Sequence, residues 1–201
     1  VACETNGPLL AEYLIEYEWK LPASIESELK VRVPNGPELT EHGTLRRGGE
    51  QRALRIRTRI ALRRGSPVLE FDTTVDNTVR DHRLRVLFPT GLSEAAHAAA
   101  DSAFDIVSRP VAVPDSTGWY EEAAKTLPTS SFVDVSDGDS GLAVLHSGLS
   151  EYEVTDNKHR AVALTLLRCF GTAGNPSETH QDQPLAQCPG SHVFRYAVQP
   201  H

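Results

Sequence analysis

Residues 52–64, RALRIRTRIALRR, decide the fold. Apolar or β-branched side chains alternate with arginine along the stretch, which is the period of two that a half-buried β-strand requires. Glycine, serine and proline at positions 65–67 form a turn. Residues 68–75, VLEFDTTV, then alternate again, so the two stretches predict an antiparallel hairpin.

The register of this hairpin follows from its loop. A four-residue loop over 64–67 brings apolar residues together on one face and opposite charges together on the other. The predicted pairs are Ile60 with Phe71, Leu62 with Leu69, Arg59 with Asp72, and Arg55 with Asp76. We therefore expect the arginines to form a solvated sheet face that meets acids across strands, rather than a polyanion-binding patch.

Similar short alternating runs recur along the chain, with turn residues about every ten positions. Only residues 93–100, SEAAHAAA, have the alanine content of a short helix, and residues 171–191 read as a long polar loop. The pattern predicts an all-β fold, a single antiparallel β-sandwich domain over residues 1–201. The further predicted strands are 9–21, 25–33, 82–88, 132–135, 142–146, 152–154, 161–168 and 192–198.

Composition excludes several classes of protein. The formal net charge of −7 argues against a nucleic-acid surface, because such binding needs a basic stripe. No run approaches the roughly 20 apolar residues of a membrane helix, so no membrane contact is expected. The three cysteines, Cys3, Cys169 and Cys188, show no framework spacing and predict reduced thiols in the cytoplasm. A chain that begins with valine and contains no methionine is predicted to be a fragment.

The residue types that bind metals do not form a recognisable site. Asp134, Asp137 and Asp139 lack the register of a calcium loop and predict a hairpin turn. Cys169 has no positioned histidine in the sequence, so a reactive thiol is not predicted. The eight histidines stand singly, without metal-ligand spacing, at His42, His82, His97, His146, His159, His180, His192 and His201.

The sequence also contains specific motifs that its periodicity does not explain. Residues 75–110 contain DN-x-x-x-DHRLRVLFPT followed by D-x-x-FD-x-V-x-RP. Together with later blocks in the same order, this stretch resembles the C-terminal part of glycoside hydrolase family 38, the α-mannosidases. The later blocks are FVDVSDG at 132–138, GLAVL at 141–145, GLSEYEV at 148–154, ALTLLR at 163–168, QCPGSH at 187–192, and Tyr196 with the final Pro200-His201.

The resemblance implies a fold and a chemistry. The fold is a galactose-mutarotase-like sandwich, part of a larger supersandwich. The chemistry is retaining hydrolysis of α-mannosidic bonds by an aspartate nucleophile and a carboxylic general acid, beside a zinc ion. The resemblance places these groups in an N-terminal catalytic half outside this chain, which leaves no catalytic residue and no metal ligand here. The implied partners are that half and a mannoside or oligosaccharide, and the chain alone is expected to be inactive.

Arg109 is the one residue that the resemblance places near the substrate, since the family has an arginine at the end of a strand approaching the sugar pocket. Its fork of donors suits sugar hydroxyls or a carboxylate. The alternative is a structural salt bridge. Glu151 and Glu153 are weaker candidates, because they face away from Tyr152 on a predicted strand.

A second class of function stays open at this point. A stand-alone carbohydrate-binding β-sandwich would use exposed aromatic rings as a stacking platform. Trp19, Trp119 and Tyr120 are the residues proposed for it. A planar cluster of exposed aromatics would favour this binding module, whereas an exposed apolar face would favour a part of a larger enzyme.

Overall fold

The computed structural model describes residues 1–27, 30–32, 39–41, 45–173 and 181–201. Within these ranges there are nineteen strands, one 3-10 turn at Pro184–Gln187, and no α-helix. The strands are β1 Ala2–Asn6, β2 Leu10–Pro22, β3 Ile25–Ser27, β4 Lys30–Arg32, β5 Leu39–Glu41, β6 Leu45–Arg47, β7 Gln51–Arg63, β8 Leu69–Asn77, β9 Arg83–Phe88, β10 His97–Asp101, β11 Ile106–Pro110, β12 Leu127–Pro128, β13 Phe132–Ser136, β14 Gly141–Ser147, β15 Glu151–Val154, β16 Val162–Arg168, β17 Thr172–Ala173, β18 Gln181–Asp182 and β19 Gly190–Pro200.

Two antiparallel sheets of unequal size form the predicted sandwich. The larger has nine strands in the order β1-β2-β7-β8-β19-β14-β13-β10-β11. The smaller has four, in the order β12-β15-β16-β9. Three two-stranded ribbons complete the described strands. No described residues form a helix long and apolar enough to cross a bilayer.

The register predicted for β7 and β8 is confirmed. Ile60 pairs with Phe71 and Leu62 with Leu69, and the residues predicted to be opposite each other on the charged face are also strand partners. The ion pairs differ from this prediction, because β2 lies on the other side of β7 and carries glutamates. Arg55 Nε lies 2.9 Å from Glu18 Oε2, and Asp72 is bound by Arg195 of β19 instead of Arg59.

The core lies between the two sheets. Leu54 and Val75 of the larger sheet and Tyr152 and Leu164 of the smaller are fully buried. Among the strands whose burial is described, β16 is the most enclosed, since each residue from Val162 to Leu167 is buried. Burying one such aliphatic or aromatic side chain contributes about 1.5–3 kcal/mol.

The smaller sheet does not cover the whole inner face of the larger one. Tyr13, Tyr17 and Trp19 of β2 point to the same side as core residues of β7, yet 46%, 47% and 44% of their surfaces are exposed. The Tyr17 and Trp19 rings lie 5.9 Å apart. An aromatic row therefore remains open on the inner face.

Two predicted elements are wrong. Residues 93–100 do not form a helix, because Ala98 and Ala100 fill buried positions of β10 between β11 and β13. Their small side chains suit a crowded sheet interior, so tertiary packing overrides alanine's helix propensity. The predicted loop 171–191 contains β17, β18 and the 3-10 turn, and β19 begins two residues before the predicted start.

Other predictions fall partly outside the described residues. The run 25–33 contains the separate strands β3 and β4, and residues 28, 29 and 33 lie outside the described ranges. So do His42, His180 and residues 174–180 of the predicted loop.

Asn77 ties the two sheets together at one corner of the sandwich. Its side chain is 2% exposed, and its amide nitrogen donates to the carbonyl oxygens of Gln187 (3.0 Å) and Cys188 (2.7 Å). The Asn77 side-chain oxygen accepts from the Val79 N–H. The same amide nitrogen lies 3.5 Å from the Cys169 sulfur, directly after β16.

The end of the chain is locked against the β13–β14 hairpin. Gly141 and His201 exchange two backbone hydrogen bonds, of 2.7 and 3.0 Å. The His201 ring bonds Asp134 at 2.9 Å and covers Gly141 so closely that a β-carbon there would overlap the ring. A side chain at position 141 would therefore have to displace the His201 ring.

Replacing Asn77 should destabilise the fold strongly. In Asn77→Ala the Gln187 carbonyl and the Val79 N–H lose the Asn77 side chain as a partner, and the Cys188 carbonyl keeps only its contact with His192. We expect this to lower the free energy of unfolding by about 3 kcal/mol in urea titrations. Asn157→Ala is the matched control, because Asn157 makes a similar turn bond to the His159 N–H at an exposed site. Equal losses in the two variants would show that burial at Asn77 is unimportant.

The contact between Gly141 and His201 predicts non-additive mutations. Gly141→Ala alone should lower the free energy of unfolding by about 1–3 kcal/mol, because the added methyl must displace the imidazole ring. In a His201→Ala background the same change should cost much less. The double-mutant cycle is measured by urea denaturation, and strict additivity would contradict the steric account.

Candidate functional site

Arg109 lies on β11, the edge strand of the larger sheet. Within the β10–β11 pair Ala98 faces Arg109 and Ala100 faces Val107. These alanines are buried, so the side chains of Val107 and Arg109 point toward the inner face at the margin of the sandwich. The small size of Ala98 leaves room for the long arginine beside it.

The Arg109 guanidinium connects the two sheets through neutral groups. Its Nη1 donates to the Pro128 carbonyl oxygen at 3.3 Å and to Tyr152 Oη at 3.4 Å. Pro128 and Tyr152 belong to β12 and β15 of the smaller sheet. Among the residues that the structure describes, no carboxylate lies within 4.0 Å of Arg109, so the salt bridge considered as its alternative role is not seen there.

A cleft of 340 Å³ opens beside Arg109 between the edges of the two sheets. The segment 111–125, between β11 and β12, forms its outer wall. The lining is mainly apolar, with Trp119 as its one large aromatic surface other than Tyr152. The lining residues are Ala98, Arg109–Pro114, Trp119, Ala123–Lys125, Leu127, Tyr152 and Val154.

The charges in this cleft have one sign. Arg109 and Lys125 line it, and none of its lining residues is aspartate or glutamate. Arginine stays protonated at all physiological pH values, and lysine ordinarily does at neutral pH. The cleft therefore offers two cations and apolar walls to a ligand.

The proposed platform of Trp19, Trp119 and Tyr120 is not assembled as one surface. Trp119 lines the cleft, whereas Trp19 lies on β2 and pairs with Tyr17. Tyr120 is 94% exposed and does not line the cleft. In the described ranges, no close ring pair joins Trp19 to the other two.

Glu151 and Glu153 are held by structural ion pairs on the outer face of the smaller sheet. Arg83 lies 2.6 Å from Glu151, and Arg85 lies 2.6 Å from Glu153. Arg168 adds a second contact to Glu151 at 2.8 Å. Their side chains point away from the buried Tyr152, as strand alternation predicted, and so away from the cleft.

Two further concavities lie on the outer face of the larger sheet, with volumes of 460 and 510 Å³. Both are lined by arginines and carboxylates of β2, β7 and β8. Arg57 and Glu16 lie 2.7 Å apart there, and Arg63 and Glu70 lie 3.1 Å apart. A charged ligand would have to break such pairs, so we regard the cleft at Arg109 as the better candidate site.

The titratable groups outside the cleft whose pKa is shifted owe the shift to burial or to turn hydrogen bonds. Burial raises the pKa of the Cys169 thiol to about 11, which keeps it protonated and unreactive at neutral pH. The backbone N–H groups of Ser140 and Asp139 hold the pKa of Asp137 below its usual value, as expected for an acid that caps a turn. Burial lowers the pKa of His82 and of His146 below the ordinary value of 6.5.

The sequence did not reveal two residues of the cleft. The sequence placed Tyr152 on the opposite side of its strand from Glu151 and Glu153, but its contact with Arg109 joins strands of different sheets. Lys125 lies in an irregular segment without periodicity. The only signal for Lys125 was its position between Trp119 and the strand that follows, which is too weak to assign a role.

Comparison with known proteins identifies the class of this sandwich. Residues 11–173 match the family model described as glycosyl hydrolases family 38 C-terminal domain. The chain therefore belongs to glycoside hydrolase family 38, and the resemblance noted in its motifs is confirmed.

Individual relatives support this family assignment. The chain is 31% identical over its whole length to a protein of Halalkalibacterium halodurans provisionally named mannosylglycerate hydrolase. It superposes on an α-mannosidase from Enterococcus faecalis V583 with a TM-score of 0.82 and 31% identity, covering all of this chain. A family 38 protein from Enterococcus faecalis gives 0.79 and 30%. The chain spans about a fifth of the length of these relatives, 22% in each case.

Full-length members of this family are associated with zinc. The described part of the chain contains no group of three or more histidine, cysteine, aspartate or glutamate side chains suited to a metal ion. These residues therefore do not fit a zinc site, and we assign no zinc-dependent step to them.

The two histidines whose pKa is lowered, His82 and His146, predict a pH dependence of stability. Their folded-state pKa lies below the unfolded value near 6.5, so the unfolded chain binds more protons as the pH falls through that value. The free energy of unfolding should therefore decrease between about pH 7.5 and pH 5.5, by at most about 1.4 kcal/mol per pH unit for each histidine.

Urea titrations across this range test the assignment. His146→Gln should reduce the slope of stability against pH, and His97→Gln serves as the control at an exposed position. An unchanged slope in His146→Gln would contradict the role of His146.

Proposed function

We propose that this chain is the C-terminal β-sandwich domain, residues 1–201, of a retaining α-mannosidase-type glycoside hydrolase that cleaves α-mannosidic bonds. The observation that carries the proposal is the match to the family 38 C-terminal domain over residues 11–173. The superposition of the whole chain on 22% of an α-mannosidase supports it.

The proposal divides the work between two parts of one polypeptide. The catalytic aspartate, the acid carboxyl group and the zinc ligands belong to an N-terminal catalytic half. Retaining glycosidases need two carboxyl groups about 5–5.5 Å apart. The inward-facing cleft of this chain is lined by no carboxylate, and Glu151 and Glu153 are occupied by arginines, so this chain would supply a wall of the sugar pocket.

Arg109 is the residue that we propose to face the substrate. Its guanidinium carries five N–H donors in a rigid fork, and only Nη1 has partners among the described residues. Both partners are neutral oxygens at long distance, so the arginine is positioned without being neutralised. It can then donate to a sugar hydroxyl or to a carboxylate near the pocket.

The substrate class follows from the relatives only as a proposal. Their names include α-mannosidase and mannosylglycerate hydrolase. We propose a mannoside or a mannose-containing oligosaccharide as substrate. The proposed location is the cytoplasm, with which the neutral, buried Cys169 thiol is compatible.

A second candidate, a non-catalytic carbohydrate-binding module, is favoured by one observation. Tyr13, Tyr17 and Trp19 form an exposed aromatic row on β2, and aromatic faces suit sugar rings. In a longer enzyme the same row would instead be covered by another part of the polypeptide. Binding of manno-oligosaccharides by this chain, lost in Trp19→Ala and without hydrolysis by any longer form, would favour the module.

Hydrolysis of p-nitrophenyl α-mannoside tests the main proposal. We expect the full-length polypeptide encoded by the parent reading frame to be active with zinc, and the 201-residue chain to be inactive. Activity in the short chain would contradict the division of labour. Inactivity of both would contradict the mannosidase proposal itself.

Arg109→Ala in the full-length polypeptide tests the substrate-facing role. Loss of a charge-assisted hydrogen bond of about 1.5–3 kcal/mol should lower kcat/KM roughly ten- to hundredfold. Arg64→Ala is the matched control, because Arg64 is exposed in the β7–β8 turn, outside the cleft. A correctly folded Arg109→Ala enzyme with wild-type kcat/KM would remove Arg109 from the pocket.

A further inference from the structure

The smaller sheet ends at β9, directly beside the part of the larger sheet that it leaves open. We propose that a strand from another part of the same polypeptide, outside residues 1–201, pairs with the free edge of β9 and packs on the aromatic row of β2. The existence of the longer polypeptide rests on the proposed function, whereas the choice of surface rests on the geometry of this chain.

Contacts between the sheets show where β9 lies over the larger sheet. The Phe88 ring of β9 lies 5.5 Å from the Phe71 ring of β8 and 5.9 Å from the Tyr196 ring of β19. At the other end of the smaller sheet, β12 and β15 contact Arg109 of β11. The smaller sheet therefore runs over the larger one from β11 to β8, and β7, β2 and β1 extend beyond its last strand.

The uncovered part of the larger sheet has room for further strands. Neighbouring strands lie about 4.8 Å apart, so the three strands beyond β8 span about 14 Å. A strand added to the free edge of β9 would lie over β7, and a second one would lie over β2. Such strands would continue the existing sandwich and would bury the aromatic row in its core.

The surface beneath the proposed position is apolar. The β2 side chains on this face alternate with charged residues on the outer face, and none of them is charged. Leu62 of β7 lies on the same face and is 50% exposed. A contiguous exposed apolar surface marks an interaction site. The β2 residues of this face are Ala11, Tyr13, Ile15, Tyr17 and Trp19.

Strand β9 lacks the features that keep a free edge from pairing. Among the described strands it pairs with β16 alone, and the bulge of this pair lies in β16. Its six residues, Arg83–Phe88, contain no proline and no lysine. The two arginines of β9 are bound by Glu151 and Glu153 of its own sheet, so they do not shield the edge.

The other edges of the two sheets are built differently. β12 is two residues long and contains Pro128, and β11 ends at Pro110. β1 shifts its register between Cys3 and Thr5. Short strands, proline and bulges all discourage the addition of another strand. Of the described sheet edges, β9 is thus the one best suited to accept a partner.

The same polypeptide fits this edge better than a second copy of the chain does. The chain spans 22% of the length of its relatives, so a parent of similar length has most of its residues elsewhere. A tethered segment is present at a high effective concentration and needs no separate encounter. Two copies that each carry a net charge of −7 repel one another.

Amide hydrogen exchange in the full-length polypeptide tests the pairing. Alternate N–H groups of an edge strand point to solvent, whereas those of a central strand are all bonded. We expect the outward N–H groups of Arg83–Phe88 to exchange at least about tenfold more slowly in the full-length polypeptide than in the 201-residue chain. Peptides of β16 are the internal control, because β16 lies between β15 and β9 at both lengths.

A charge on the aromatic row tests whether the added strand covers it. Tyr17→Lys in the full-length polypeptide should restore fast exchange of β9, because an ammonium group would be buried beneath the added strand. Tyr17→Phe keeps the ring and should preserve the protection. Val193→Lys is the matched control, because Val193 is 57% exposed on the outer face of the same sheet, and it should leave β9 unchanged.

Several results would overturn the inference. These are fast exchange of β9 in the full-length polypeptide, equal exchange at the two lengths, or protection that survives Tyr17→Lys in a folded protein. Protection that rises with protein concentration would assign the edge to a second copy and would also overturn it.

Hydrolysis of p-nitrophenyl α-mannoside tests the proposed function separately. An active full-length polypeptide with a fast-exchanging β9 would refute the strand addition alone. An inactive polypeptide with a protected β9 would refute the mannosidase activity and support the strand addition.

Discussion

The hydrogen bonds of one buried amide, Asn77, hold the architecture at the corner where both sheets meet. The Asn77 side chain binds the carbonyls of Gln187 and Cys188, and so fixes the segment that leads into β19, the sheet partner of β8. Through Cys169 it also contacts the end of β16 in the smaller sheet. In a low-dielectric interior each such bond is expensive to lose, and a fully paired group specifies one arrangement of the strands. The motif blocks that identify the family meet at this corner, far apart in sequence, so these residues serve the fold.

Because the two sheets differ in size, part of the inner face of the larger sheet stays open for contact with other molecules or chain segments. Nine strands face four, and the outer face of the larger sheet neutralises its arginines with glutamates of β2 and β8. That face is therefore charged without having a strong net attraction for an ion. The inner face has two open regions, the aromatic row of β2 and the cleft at β11. Both lie where the smaller sheet ends, which is where another part of a polypeptide or a ligand can make contact.

The sequence predicted those features that depend on neighbours along one strand or across one short loop. The β7–β8 register was predictable because its apolar face and its charged face required the same alignment. The partners of the β7 arginines were not, because a strand has two neighbours and the sequence does not say which carries the better-placed acid. The helix predicted for residues 93–100 was wrong for a related reason. Small side chains are needed between β11 and β13, and alanine, which also favours helices, meets that need. Arg109 was proposed from the family motif, whereas its contacts with Pro128 and Tyr152 depend on how two sheets pack.

The complete enclosure of β16 has a consequence for the newly made chain. In the fold, VALTLL is shielded by β9 and β15 at its edges and by protein on both faces. Before these contacts form, the same six residues are a β-prone, uncharged segment of the kind that associates with other chains. Arg160 and Arg168 stand on either side of it, and flanking charges of this type oppose such association. A strand whose residues Val162–Leu167 are all buried is thus also a segment prone to association before folding, and its sheet neighbour β9 precedes it in the chain.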